Sequence, residues 1–144
     1  NNSYQLQKRM KLKKAKFRMT KPRRLILEEL KKSKNHPSAD QVWEKVKKKL
    51  PRISLATVYR NLELLADNEL IVRLDFPNQP RRYDGDTSDH CHIFCVECGR
   101  IDDIFYRYQP RLVSKVCEES GYKIIGYRLH ILGICPECQK KKAK

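Results

Sequence analysis

The stretch Ser54-Leu55-Ala56-Thr57-Val58-Tyr59-Arg60-Asn61-Leu62-Glu63-Leu64-Leu65-Ala66-Asp67 decides how this chain folds. Ser54 can cap a helix running to about Asp67, and Leu55, Val58, Leu62 and Leu65 recur on one stripe at helical spacing. The opposite stripe carries Ala56, Tyr59, Arg60 and Glu63, the face expected to meet water. A ring and a guanidinium side by side can read base edges, because Arg donates two hydrogen bonds to guanine and a Tyr ring packs on a thymine methyl. A solvated surface tyrosine is the plainer reading, and the neighbouring segments weigh between the two.

Upstream, Thr20 to Ser33 reads as a helix with Pro22 tolerated in its first turn and Leu25, Ile26, Leu27 and Leu30 on its apolar face. Asn35-His36-Pro37 ends it. Ser38-Ala39-Asp40-Gln41 is a capping box, in which Ser38 and Gln41 satisfy each other's amides, and it opens a helix that buries Val42, Val46 and Leu50. Pro51-Arg52-Ile53 then turns the chain into the Ser54 helix, so two helices joined by a short turn lead to the Tyr59/Arg60 face, as a helix-turn-helix requires. Downstream, Leu70 to Phe76 alternates as a strand, Pro77-Asn78-Gln79-Pro80 turns, and Arg81-Arg82-Tyr83 returns. A hairpin directly after a recognition helix is a wing.

Charge agrees with this placement. Of the 144 residues, the first 52 hold 18 Lys+Arg against 4 Asp+Glu, whereas the rest hold 14 against 13. A basic end joined to a near-neutral remainder points to a polyanion held by one part of the molecule. A membrane surface fits less well, since Lys8 to Lys16 intersperses only Met10, Leu12 and Ala15 among its charges. No apolar run approaches the roughly eighteen residues needed to cross a bilayer, and the first residues lack the apolar core of a signal peptide. The expectation is a cytoplasmic protein with no membrane partner.

Four of the six cysteines form two pairs, Cys95-Val-Glu-Cys98 and Cys135-Pro-Glu-Cys138. Each pair can clamp one metal ion, and two such knuckles complete a tetrahedral four-thiolate zinc site. The 36 residues between the pairs exceed the spacing of a compact zinc ribbon and must contain structure. Pro110 to Gly121 suits a helix and Tyr122 to Ile134 an alternating strand. Zinc would thus staple the start of this unit to its end, stabilising about 60 residues that could barely support a core unaided. Disulfides are the alternative, disfavoured in a cytosolic chain. Cys117 reads as a buried helix residue, and Cys91, between two histidines, is open to a ligand role, against which alternation on a strand would point it away from both.

Asp89-His90-Cys91-His92 places two imidazoles on one side of a strand. Carboxylates are near in sequence: Asp84 and Asp86 before the strand, Asp102 and Asp103 after the first knuckle. Such a mixed N/O set suits Fe(II), Mn(II) or Zn(II). His36, preceding Pro37 in an interhelical turn, reads by itself as an ordinary surface residue.

Taken together, Thr20-Lys21-Pro22-Arg23, His36-Pro37-Ser38-Ala39-Asp40, Ile53 to Leu62, Asp89 to Gly99 and Gly133 to Cys138 resemble the ferric-uptake-regulator family over nearly the whole chain. The resemblance implies an α+β protein: an N-terminal winged helix-turn-helix domain over 1–84 and a small C-terminal α/β dimerisation domain with structural zinc over 85–144. The zinc ligands would be Cys95, Cys98, Cys135 and Cys138. A regulatory Fe(II) or Mn(II), with Zn(II) able to substitute, would be held by His36, Asp84, His90, His92 and Asp103. Asp at positions 84 and 103 is most similar to the peroxide-sensing branch, in which bound Fe(II) reacts with peroxide and the oxygen ends on a ligand histidine, here His36 or His90. A further regulatory site of iron sensors would need other residues at Asp89, Cys91, Pro110 and Tyr127, and is read as absent; His130 has no assigned role.

The function expected is a homodimeric, metal-dependent repressor binding an AT-rich inverted repeat of double-stranded DNA. Tyr59, Arg60, Thr57 and Ala56 would face the bases, and Lys14, Lys16 and Arg23 would hold phosphate or the minor groove. An iron- or zinc-uptake repressor on the same fold differs only in its signal. A zinc-dependent hydrolase using His90, His92 and Asp103 would need an open coordination position and a substrate pocket, and no separate general base is evident. A zinc-stapled scaffold with no DNA role conflicts with the charge asymmetry.

Overall fold

The computed structural model describes residues 17–88, 90–105, 111–124, 129 and 131–144. These form two compact units, one ending at Ser88 and one following it. The first contains α1 (Lys21–Lys32), α2 (Ala39–Val46), α3 (Leu55–Asp67) and the strands β1 (Val72–Leu74) and β2 (Arg82–Asp84). The second contains β3 (Cys91–Cys95), β4 (Ile101–Ile104), α4 (Arg111–Ser120), β5 (Ile131–Gly133) and α5 (Pro136–Lys142).

In the first unit the capping chemistry is as the sequence predicts. Ser38 Oγ accepts from the Gln41 amide while Gln41 Oε1 accepts from the Ser38 amide, and Ser54 Oγ accepts from the Thr57 amide at 3.1 Å. Ile26 and Leu30 of α1, Val42 and Val46 of α2, and Val58, Leu62 and Leu65 of α3 close over one core that also takes Ile71 and the whole of Tyr83. Leu50 follows the end of α2 and packs against this core half-buried. The turn into α3 is held by Trp43, whose indole N–H donates to the Ile53 carbonyl at 2.9 Å while Lys47 Nζ lies 4.2 Å from the ring centroid.

The wing is shorter than its alternating pattern predicts. Only Val72–Leu74 and Arg82–Asp84 pair, antiparallel, with Arg73 opposite Tyr83. Asn78 takes the turn at a φ of 58°, in the left-handed region Asn tolerates. Beyond β2 the chain stays with this unit through Ser88, because Gly85 lies against α1: a Cβ there would stand 2.8 Å from the Leu30 carbonyl carbon and the Lys31 nitrogen.

In the second unit the strand order is β4-β3-β5, with β4 antiparallel and β5 parallel to β3. The parallel pairing requires a crossover, and α4 lies in that connection. The helix expected from Pro110 is described from Arg111. Of the strand expected over Tyr122 to Ile134, 122–124 have no regular structure, Ile131–Gly133 is strand, and 125–128 and 130 lie outside the described residues. Cys117 is half-buried, not buried as expected, and none of the described residues of α4 is buried within the chain. Leu112 is 59% exposed, and Val116 and Leu132 are also exposed.

Candidate metal centres and recognition helix

The four paired cysteines come together as the spacing predicts. Their Sγ atoms all lie within 4.8 Å of one another. Cys98 Sγ stands 3.8 Å from Cys135 Sγ, the edge of a tetrahedron whose metal-to-sulfur bonds are about 2.3 Å. The first knuckle closes through Gly99, at a φ of 73°, whose amide donates to the Cys95 carbonyl, while the Cys95 amide donates to Arg100. The second knuckle is attached because Cys95 lies opposite Gly133 in the parallel ladder and Cys135 donates its amide to Cys95 Sγ at 3.3 Å. That amide, with those of Cys98 and Glu97, lowers the Cys95 thiol to about 6. The same crowding pushes Cys138 up to about 12, through its hydrogen bond to Cys135 and its desolvation. One thiolate is held by amides, whereas four in this space need a cation among them, and the donor set fits a soft or borderline divalent ion.

A second donor group occupies the sheet face of the same unit. His92 pairs directly with Asp103 across β3 and β4. Asp103 Oδ1 lies 3.4 Å from Nε2 of both His92 and His90, whose ring centroids are 4.6 Å apart. The register brings Asp103, and not Asp102, to these two histidines. Asp102 pairs opposite Ile93 and turns to Arg100 at 2.8 Å.

The first unit carries a matching pair. His36 is only 2% exposed, not a surface residue, and sits at a φ of 49°, a costly setting for a residue with a Cβ. Its Nε2 lies 3.4 Å from Asp84 Oδ2, while Asp84 Oδ1 accepts from the Asp86 amide at 2.8 Å. Asp86 itself accepts from the Ser88 amide, which organises the turn after β2. Both groups offer imidazole nitrogen and carboxylate oxygen, the borderline-to-hard donor class of Fe(II), Mn(II) and Zn(II).

On α3, Ala56, Tyr59 and Arg60 are exposed, and with Pro80 and Arg81 of the wing they line a groove. Tyr59 keeps 45% of its surface. Thr57 is half-buried and tied to the helix start, its hydroxyl 2.9 Å from Ser54 Oγ. Glu63 does not face water as the stripe predicts: it receives Arg73 Nε at 2.8 Å, Arg81 at 3.2 Å and the Tyr83 hydroxyl at 2.8 Å. Arg23 Nε donates to Asn61 Oδ1 of α3 at 3.1 Å, and its guanidinium stands over the Phe17 ring. Lys14 and Lys16 lie outside the described residues.

A winged helix joined in one chain to a four-cysteine unit defines a metal-binding transcription regulator. The chain belongs to the ferric uptake regulator family, whose model matches residues 14–132. The peroxide operon regulator of Bacillus subtilis is 37% identical over 131 residues, covering 91% of this chain and 90% of that protein. The ferric uptake regulator from Francisella tularensis, solved with iron, superposes with a TM-score of 0.71 at 33% identity, covering 90% of this chain and 99% of that one. A peroxide stress regulator from Campylobacter jejuni gives a TM-score of 0.64 at 29% identity, covering 81% of this chain and 88% of that one. Among the described residues no helix is long and apolar enough to cross a membrane.

Proposed function

We propose that this chain is a cytoplasmic, homodimeric repressor that binds an AT-rich inverted repeat of DNA when a regulatory metal is bound, and releases it in response to peroxide. The observation that carries the reading is the separation of two donor chemistries: a four-thiolate cage, and nitrogen and oxygen donors on both units. Cys95, Cys98, Cys135 and Cys138 hold zinc and staple the second unit. His36 and Asp84 of the DNA-binding domain join His90, His92 and Asp103 of the dimerisation domain around one Fe(II) or Mn(II), with Zn(II) able to substitute. The names of the Bacillus subtilis and Campylobacter jejuni relatives support the peroxide signal.

Ligands drawn from both domains make the DNA-competent setting depend on occupancy, because an ion bound better by one conformation shifts the population toward it. Ferrous iron held by these residues would supply cleavage of the peroxide O–O bond, after which one oxygen would end on a ligand histidine, a two-electron oxidation of its ring, and the other would leave as water. A histidine altered in this way, His36 or His90, no longer offers the same lone pair, and the two domains lose their common tie. Tyr59 and Arg60 read base edges from α3, with Ala56 and Thr57 beside them, and Lys14, Lys16 and Arg23 hold the backbone. The exposed apolar side chains of α4 and β5 support a second copy as the partner of the dimerisation domain.

The test is peptide mass mapping of zinc-containing protein loaded anaerobically with Fe(II), before and after stoichiometric hydrogen peroxide, with a Mn(II)-loaded control. One added oxygen atom on the His36 or His90 peptide in the iron sample alone is the expected result. Unmodified histidines, or oxidation confined to the cysteines, would transfer the chain to the second reading, an iron- or zinc-uptake repressor of the same fold.

A further inference from the structure

Strand β2 is three residues long, and each residue does a different job. The Arg82 guanidinium donates to the backbone carbonyls of His36 and Asn35. The Tyr83 amide donates to the Pro37 carbonyl at 3.0 Å, and its hydroxyl donates to Glu63 Oε1 on α3 at 2.8 Å. Asp84 places Oδ2 3.4 Å from His36 Nε2. With the bridge between Ser38 and Arg82, the loop 35–38 and β2 are bound together as one body.

Glu63 joins that body to the DNA-facing elements. It also receives Arg73 of β1 and Arg81 at the foot of β2, while Arg73 continues to Asp67 and Arg81 to Asp75. Glu63 lies one helical turn beyond Tyr59 and Arg60, on the same side of α3. Tyr83 is wholly buried, and burial together with the Glu63 carboxylate pushes its phenol upward, so it remains a proton donor to a charged acceptor.

From this geometry we infer that Tyr83 and Glu63 are positioning residues that couple the arrangement of the His36/Asp84 pair to the setting of recognition helix α3 and the wing. The inference rests on the proposed reading that this pair holds part of the regulatory ion. To ligate one ion, His36 and Asp84 must each turn a lone pair toward a common centre. Gly85 is packed tightly against the α1 backbone, so movement of Asp84 is not readily absorbed downstream. It passes upstream to Tyr83, whose hydroxyl is fixed to Glu63.

Proximity by itself is not coupling, and the decisive quantity is the linkage between two binding events. The probes are Mn(II) and a duplex selected from a random pool by the Mn(II)-loaded, zinc-containing wild type. Operator affinity is measured with and without Mn(II), and Mn(II) affinity with and without operator, for the wild type, Tyr83→Phe and Glu63→Gln. For a dimer with one ion per subunit, linkage makes the operator ratio equal to the product of the Mn(II) ratios of the two sites within each protein. The expected result is that both ratios fall together, at least about threefold, in both variants, with zinc content and scrambled-duplex binding unchanged.

Wild-type ratios in folded variants would overturn the inference. So would a uniform loss of operator affinity with the ratios preserved, which marks a purely structural role. Glu63→Gln keeps the side-chain shape and decides the matter if Tyr83→Phe fails to fold. A wild-type ratio of one would overturn the proposed function itself, and this inference with it.

Discussion

Asp103 stands directly opposite His92 in the β3–β4 ladder, and its Oδ1 is equidistant, at 3.4 Å, from Nε2 of His92 and of His90. One carboxylate oxygen thus addresses both imidazoles. Asp103→Ala removes that oxygen without touching the thiolate cage. Mn(II) affinity should fall by more than the roughly 10–100-fold typical of losing an outer partner of a metal site, while zinc stoichiometry stays at the wild-type value. Metal titration with elemental analysis checks both, and unchanged Mn(II) binding would remove Asp103 from the ligand set.

The cysteine cage predicts how proton release accompanies zinc uptake. Cys95 is lowered to about 6 and Cys138 raised to about 12. Ligation requires thiolates. Above pH 6 Cys95 is already ionised and releases no proton, whereas Cys138 must release one. Below pH 6 Cys95 is protonated too, so proton release should rise toward one more per zinc as pH falls through about 6. Calorimetry of the apo chain in buffers of different ionisation enthalpy measures this, and a pH-independent release would contradict it.

Arg60 is exposed on α3 beside Tyr59. Its guanidinium is 3.5 Å from the Thr57 hydroxyl, a loose tether that leaves it able to reach a base edge. Arg60→Ala should cost about 1–3 kcal/mol of discrimination between a selected operator and a scrambled duplex. Equal discrimination by both proteins would move the reading role elsewhere.

Gly85 tests the seat of Asp84. The absence of a Cβ lets the chain after β2 approach the backbone of Leu30 and Lys31. Because the obstructing atoms are main chain, Gly85→Ala should destabilise the first unit by about 1–3 kcal/mol, the usual range for overpacking. Thermal unfolding should shift down accordingly, and Mn(II) binding should weaken with it. A variant as stable as the wild type would mean that α1 yields easily at its end.

Local signals were readable from the residues; tertiary choices were not. Both N-caps and the apolar stripes of α1, α2 and α3 stand where the pattern places them, because capping and periodicity are short-range physics. The cysteine cage was legible for the same reason, since each knuckle is built within four residues. Glu63 was misread as solvent-facing. Its partners Arg73, Arg81 and Tyr83 follow 10 to 20 residues later, and periodicity does not say which cations fold back. The choice of Asp103 over Asp102 depends on strand register, which alternation cannot specify without its partner strand. The wing strands are short because alternation continues along extended chain, whereas pairing lasts only while both strands run side by side.

The indole of Trp43, tied to the carbonyl that introduces α3, gives the protein an optical property of its own. It is the sole tryptophan of the chain, so excitation at the red edge of aromatic absorption selects one fluorophore at the hinge of the helix-turn-helix. Its emission reports melting of that turn. Loss of the helix-turn-helix can thus be followed by its own signal in an unlabelled sample, beside zinc release read with a chelating dye.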